Sequence, residues 1–147
     1  MDIQIDNQQT KQPVKEKAIQ KKARDILNAL DCHDGELSIV LVDDVRIADL
    51  NEVYLQHTGP TNVISFPMRE GEFSEINPQV LGDVVISMDT CAREAGQAGI
   101  SMETRFDQLL IHGILHLLGY DHVHSESEAR IMEAKSNELL TLLEGLP

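Results

Sequence analysis

At 147 residues the chain is the size of one domain, 1–147, large enough to bury roughly 70% of its unfolded surface without staples. Twelve Lys and Arg against 25 Asp and Glu give a net charge of −13, which argues against generic phosphate-driven nucleic-acid binding. Cys32 and Cys91 are its two cysteines, with no Cys-x-x-Cys, which fits a reducing compartment better than a disulfide framework.

Ile3 and Ile5 alternate with polar residues and predict a short first strand. After a polar loop, Pro13 suits the first turn of a helix from about Val14 to Leu30, with apolar residues at 19, 23, 26, 27 and 30 on one face. Six of the twelve basic residues (Lys11, Lys15, Lys17, Lys21, Lys22 and Arg24) fall in this region. They read as a solvated helix face before they read as a phosphate-tracking patch. Leu37 to Val42 is a buried strand. Asp43 or Asp44 can cap the next helix, with Ile47, Leu50 and Tyr54 as its inner stripe and Thr58-Gly59-Pro60 as its stop. Val63 to Phe66 is a short strand closed by Pro67, and residues 68–80 read as an exposed loop bordering a site. Leu81 to Met88 is a further strand. Asp89 or Thr90 caps a short helix ending near Gly99, and Ser101 caps the next. Ser125-x-x-Glu128 is a capping box before a last helix buried through Ala129, Met132, Leu139, Leu140 and Leu143. The order β-α-β-α-β-β-α-α-α lacks strict βαβ alternation and predicts an α+β fold, helices on a mixed sheet of about four strands.

Residues 1–20 hold no apolar signal-peptide core. The longest apolar stretch, Leu109 to Tyr120, is interrupted by two histidines and too short to span a bilayer. A soluble, cytoplasmic protein with no membrane partner is expected.

The chemistry lies in His112 to His122, which reads His-Gly-Ile-Leu-His-Leu-Leu-Gly-Tyr-Asp-His. On a helix, positions i and i+4 share a face, so His112 and His116 can reach one ion. Gly119 can end that helix in a left-handed turn and return His122 as a third ligand. Three neutral nitrogens with one position left for water is the donor set of a catalytic zinc site. Histidines satisfied by core hydrogen bonds are the plainer reading. Against it, four of the six histidines lie between 112 and 124, and three match a ligand spacing with glycine in the helix-breaking slot. That spacing equals His-Glu-x-x-His-x-x-Gly-x-x-His of metzincin proteases, but Gly113 stands where their general-base glutamate belongs. The metal half of the motif is present and the peptidase half is missing.

The run His112-Gly113-x-Leu115-His116-Leu117-x-Gly119-Tyr120-Asp121-His122 resembles the signature of the YbeY family, bacterial rRNA maturation endoribonucleases. Asn51-x-x-Tyr54, Pro60-Thr61-Asn62-Val63-Ile64-Ser65-Phe66-Pro67 and Leu81-Gly82-Asp83-Val84-Val85-Ile86-Ser87 resemble the same family. The resemblance implies the same α+β arrangement, one zinc ion, and hydrolysis of single-stranded RNA in small-subunit rRNA 3′-end maturation and ribosome quality control. Ribosomal subunit proteins are implied as further partners. It also implies an arginine after Tyr54, acting at the phosphate, where this chain has Leu55. Arg46, His57 and Arg69 are the nearest substitutes.

Metal-bound histidine usually donates its second N–H to an oxygen, which makes Asp121 and Asp83 candidates to orient the rings. Asp121 could equally cap the turn after Gly119. Ser65 reads as structural, His124 as a surface residue and Tyr120 as a group that contacts substrate or packs over the site. No residue is assigned as the general base. Imidazole suits nickel as well as zinc. Two other functions fit the same residues: a metallohydrolase of another substrate class, and a non-catalytic, zinc-stabilised ribosome assembly factor.

Overall fold

Alternating apolar residues make a strand two-faced, and here both faces are covered. In the computed structural model, which describes residues 1–68, 79–120 and 125–145, strands β1 (Asp2–Asn7), β2 (Glu36–Val42), β3 (Val63–Pro67) and β4 (Val80–Ser87) form a sheet in the order β1-β2-β4-β3. β1 and β4 run parallel to β2, and β3 runs antiparallel to β4 at the edge. Helices α1 (Glu16–Ala29), α2 (Asp44–Leu55), α3 (Met88–Ala98), α4 (Met102–Leu117) and α5 (Glu126–Glu144) complete the predicted order. The mixed α+β architecture is as the sequence pattern requires.

The larger core joins α1 (Ile19, Ala23, Ile26, Leu27), α3 (Met88, Cys91), α4 and α5 (Met132, Leu139) to Leu37, Ile39, Leu41, Val84 and Ile86 of the sheet. A smaller core of Val42, Ile47, Ile64 and Val85 lies against α2. Val84 and Val85 fall in different cores because successive side chains of a strand point to opposite faces. No helix among the described residues is long and apolar enough to cross a membrane.

Several expected boundaries shift for physical reasons. α1 begins at Glu16, so Pro13 precedes the helix instead of entering its first turn. Asp43, and not Asp44, caps α2, accepting from the Arg46 N–H. Tyr54 is 59% exposed, off the inner stripe. Asn51 takes the buried place, its Nδ2 donating to the Gly59 carbonyl at 2.9 Å. α2 stops at Leu55 with Gln56 in the left-handed region (φ 54°), ahead of Thr58-Gly59-Pro60. Neither Asp89 nor Thr90 caps α3. Ser87 does, its Oγ accepting from the Thr90 N–H, while Asp89 accepts from the Asp44 N–H. The expected loop over 68–80 lies largely outside the described residues.

Candidate metal centre

α4 carries the first two histidines of the motif. Ser101 caps it, accepting from the Thr104 N–H at 3.0 Å, and Glu103 places an acidic group in the first turn. Phe106, Leu109, Leu110, Ile111, Ile114, Leu115 and Leu117 are all buried. A helix apolar over most of its circumference must be wrapped, and α4 packs against β3, β4, α1, α3 and α5. Each buried Leu or Ile contributes about 1.5–3 kcal/mol, so the helix is held rigidly. At its end Gly119 is left-handed (φ 92°). The Gly119 N–H donates to the His116 carbonyl and the Tyr120 N–H to the Leu115 carbonyl. That pair of bonds is the Schellman arrangement in which glycine has no Cβ to strain.

His112 and His116 sit one turn apart on the half-buried side of this helix. Their rings meet edge to face, centroids 4.5 Å apart, and their Nε2 atoms converge to 3.0 Å. Two nitrogens each about 2.0–2.1 Å from one tetrahedral ion would lie roughly 3.3 Å apart, so the pair fits a single ion with only a small adjustment. Among the described residues no third His, Cys, Asp or Glu joins them in a metal-binding group. His122, Asp121 and His124 lie outside the described residues.

Packing accounts for the glycine between the histidines. A Cβ on Gly113 would stand 2.5 Å from Val84 Cγ1 and 3.2 Å from Val63 Cγ2. Position 113 therefore faces the sheet, and no glutamate fits there. Ser65 Oγ donates to the Gly113 carbonyl at 2.8 Å, fastening edge strand β3 to the turn of α4 that carries both histidines. The structural reading of Ser65 is thus given a specific partner.

A hollow of about 420 Å³ opens beside the pair, lined by Leu55, Val63, Ser65, Pro67, His112, His116 and Tyr120 among others. Leu55 lines this hollow, so the position where the resemblance implies an arginine carries no charge there. Arg46 and His57 are exposed and do not line this hollow. Arg69 is outside the described residues. Asp83 is excluded as a ring-orienting group for these two histidines: Val84 faces α4, so its neighbour Asp83 points from the opposite face of the sheet.

Two charged features near the site went unread in the sequence. Lys22 Nζ of α1 lies 2.7 Å from Asp107 Oδ1 and 2.9 Å from Glu103 Oε1 of α4. Burial lowers the Lys22 pKa, but the hydrogen bonds that its ammonium donates to both carboxylates outweigh it and hold the ammonium above its ordinary value. Burial pushes the Asp107 carboxyl up against the opposing pull of Lys22. The short contact and the raised ammonium favour an ionised pair. Lys22 is thus a helix clamp, and Lys11 and Lys21 of the same basic segment also face carboxylates, of Asp89 and Asp25. The second feature is Arg105, whose Nε and Nη2 both donate to Glu94 Oε1. The sign that could have exposed Asp107 is its place between Phe106 and Leu109 on a wrapped helix, where a charge needs a partner.

The chain is similar to known proteins over nearly its whole length. The sequence model of the family described as Endoribonuclease YbeY matches residues 4–144. The chain is 51% identical over 146 residues to Endoribonuclease YbeY of Geobacter sulfurreducens, covering 99% of this chain and 97% of that protein. It is 45% identical over 148 residues to the protein of the same name from Syntrophus aciditrophicus, covering 100% and 92%. The solution structure of TM1509 from Thermotoga maritima superposes with a TM-score of 0.70 at 25% identity, covering 97% of this chain and 89% of that one.

Proposed function

The chain belongs to the YbeY endoribonuclease family, and from that premise we propose that it is a zinc-dependent hydrolase of single-stranded RNA, acting in small-subunit rRNA 3′-end maturation and ribosome quality control. The observation that carries the reading is the convergence of His112 and His116 Nε2 to 3.0 Å at the wall of an open hollow. His122 is the third ligand by its spacing. A bound zinc ion supplies Lewis acidity and an activated water near neutral pH.

The chain's own residues prepare the rest. The Schellman turn and the Ser65–Gly113 bond fasten the backbone turns that carry both imidazoles. Tyr120 gives the hollow an aromatic wall on which an unpaired base can stack, which suits single strands because their bases are free to leave a helix. Val63, Pro67 and Leu55 give it an apolar floor and rim. Stacking and apolar contact are what an acidic protein can offer RNA in place of a basic surface. A peptidase role is disfavoured by Val84, which closes position 113 to a general base.

A second reading draws on one observation. Leu55 at the rim cannot neutralise a phosphate, which favours a non-catalytic assembly factor that uses zinc to fix the fold. Cleavage of a single-stranded RNA by zinc-loaded protein, beside His116→Ala at matched purity, separates the two. Cutting by the wild type alone supports the nuclease. Equal cutting by both means a contaminating enzyme and removes the support. Cutting by neither, with co-sedimentation on ribosomal subunits retained, moves the function to assembly.

A further inference from the structure

A second hollow, of about 280 Å³, lies on the other side of His112, between α4 and α5. Its polar lining is Asn62, Arg105, Gln108, His112, Ser136 and Asn137. Arg105, Gln108 and His112 follow i, i+3, i+7 spacing, so one stripe of α4 runs from the metal pair into this hollow. Ligand pockets for drug-sized molecules start near roughly 300 Å³, so this one suits a single nucleoside and nothing much larger.

Its electrostatics decide which part of a nucleotide it takes. Arg105 is the cation of the lining, and its Nε and Nη2 are committed to Glu94 while Nη1 donates to Gln108 Oε1 at 2.7 Å. A guanidinium neutralised in this way is a poor phosphate site. The same contacts set the amides. Asn62 Nδ2 donates to both Glu94 oxygens, at 3.2 and 3.4 Å, which leaves Asn62 Oδ1 as an acceptor for a ligand. Gln108 Oε1 accepts from the guanidinium, which leaves its N–H2 as a donor. Asn137 adds a carboxamide from α5, with both functions. A fixed donor, a fixed acceptor and an adaptable amide match the edge of a nucleobase.

We propose that this amide-lined hollow is a base-recognition subsite that holds the nucleobase adjacent to the bond cut at the histidine pair, and that Gln108 and Asn137 set the preference for that base. The proposal rests on the nuclease reading for its place in the reaction, but its binding chemistry is separately measurable. The hollow shares His112 with the metal pair, so an occupant lies within one nucleotide of the reacting phosphate. The Arg105–Glu94–Asn62 network acts through the amides, holding them in one orientation.

The test uses the full chain labelled with 15N and titrated with each of the four nucleoside 5′-monophosphates and with ribose 5-phosphate. The side-chain N–H2 resonances of Gln108 and Asn137 report on the hollow. The expected result is that they shift with some bases and not others, and not with ribose 5-phosphate. Gln108→Leu and Asn137→Ala should each change the base preference at the cut by roughly fivefold, the scale of one hydrogen bond. Equal shifts with ribose 5-phosphate, no shifts at all, or unchanged preference in both variants would overturn the proposal. Base-dependent shifts in a wild type that cuts no RNA would uphold the subsite and fail the nuclease reading alone.

Discussion

Two polar stretches of the same helix, five residues apart, meet opposite fates. Asp107 is 2% exposed and is consumed by Lys22 at 2.7 Å. His112 and His116 are half-buried, converge on each other and open onto a hollow. Both put polar groups on a helix whose other faces are apolar. The first closes its polar group inside the fold, so that its energy goes into docking α1 on α4. The second turns its nitrogens toward a space that a ligand can enter. The difference lies in what stands opposite: an ammonium from α1 in one case, the gap between α2 and β3 in the other. Buried polarity alone does not mark a functional site. What the proposed site adds is a hollow beside two ring nitrogens that converge.

The contrast makes ordered predictions. Zinc should stabilise the wild type by about 4 kcal/mol at a free concentration a thousand times its dissociation constant. That shift should vanish in His112→Ala and His116→Ala, as thermal melts with and without a chelator would show. A zinc shift that persisted in both variants would detach the metal from this pair. Asp107→Ala should do the reverse, costing about 3 kcal/mol in denaturant unfolding while leaving the zinc shift in place. Breaking one side of a buried pair costs roughly 3–5 kcal/mol, and the lower end applies because Lys22 keeps Glu103. Gly113→Ala should affect both regions, since its Cβ would stand 2.5 Å from Val84. About 2 kcal/mol of overpacking is expected, with zinc bound more weakly as α4 is pushed off β4. Unchanged stability would mean that the sheet yields there. Ser65→Ala should be the smallest, about 1 kcal/mol for one hydrogen bond. Its value lies in the comparison: a loss of zinc affinity larger than the loss of stability would show that β3 aims the imidazoles.

The order of the elements was legible because each is locally consistent. Ile3 and Ile5, the run from Leu37 to Val42, and the stripe through Ile19, Ala23, Ile26 and Leu27 each carry the period of the structure they adopt. The boundaries that moved did so at residues with a choice of partner. Ser87 displaced Asp89 and Thr90 as the α3 cap because its hydroxyl stands at the strand end within reach of the Thr90 N–H. Asp89 was drawn instead to the Asp44 N–H, from a helix 45 residues earlier. Asn51 displaced Tyr54 from the inner face because an amide that reaches the Gly59 carbonyl can be buried at low cost.

The sequence by itself determined the pairing of His112 with His116, since four residues is one helical turn and glycine must follow where the turn reverses. It also determined that position 113 carries no general base. Only the tertiary structure decided why: Val84 of a strand nearly thirty residues earlier occupies the space a side chain would need. The same holds for Asp83, which the need of a metal-bound imidazole for an oxygen partner admits and the alternation of β4 removes, and for Leu55, whose place at the hollow depends on α2 ending beside β3. Spacing along one helix is fixed by the covalent geometry of the chain. What stands across from that helix is fixed by long-range packing, which no local pattern encodes.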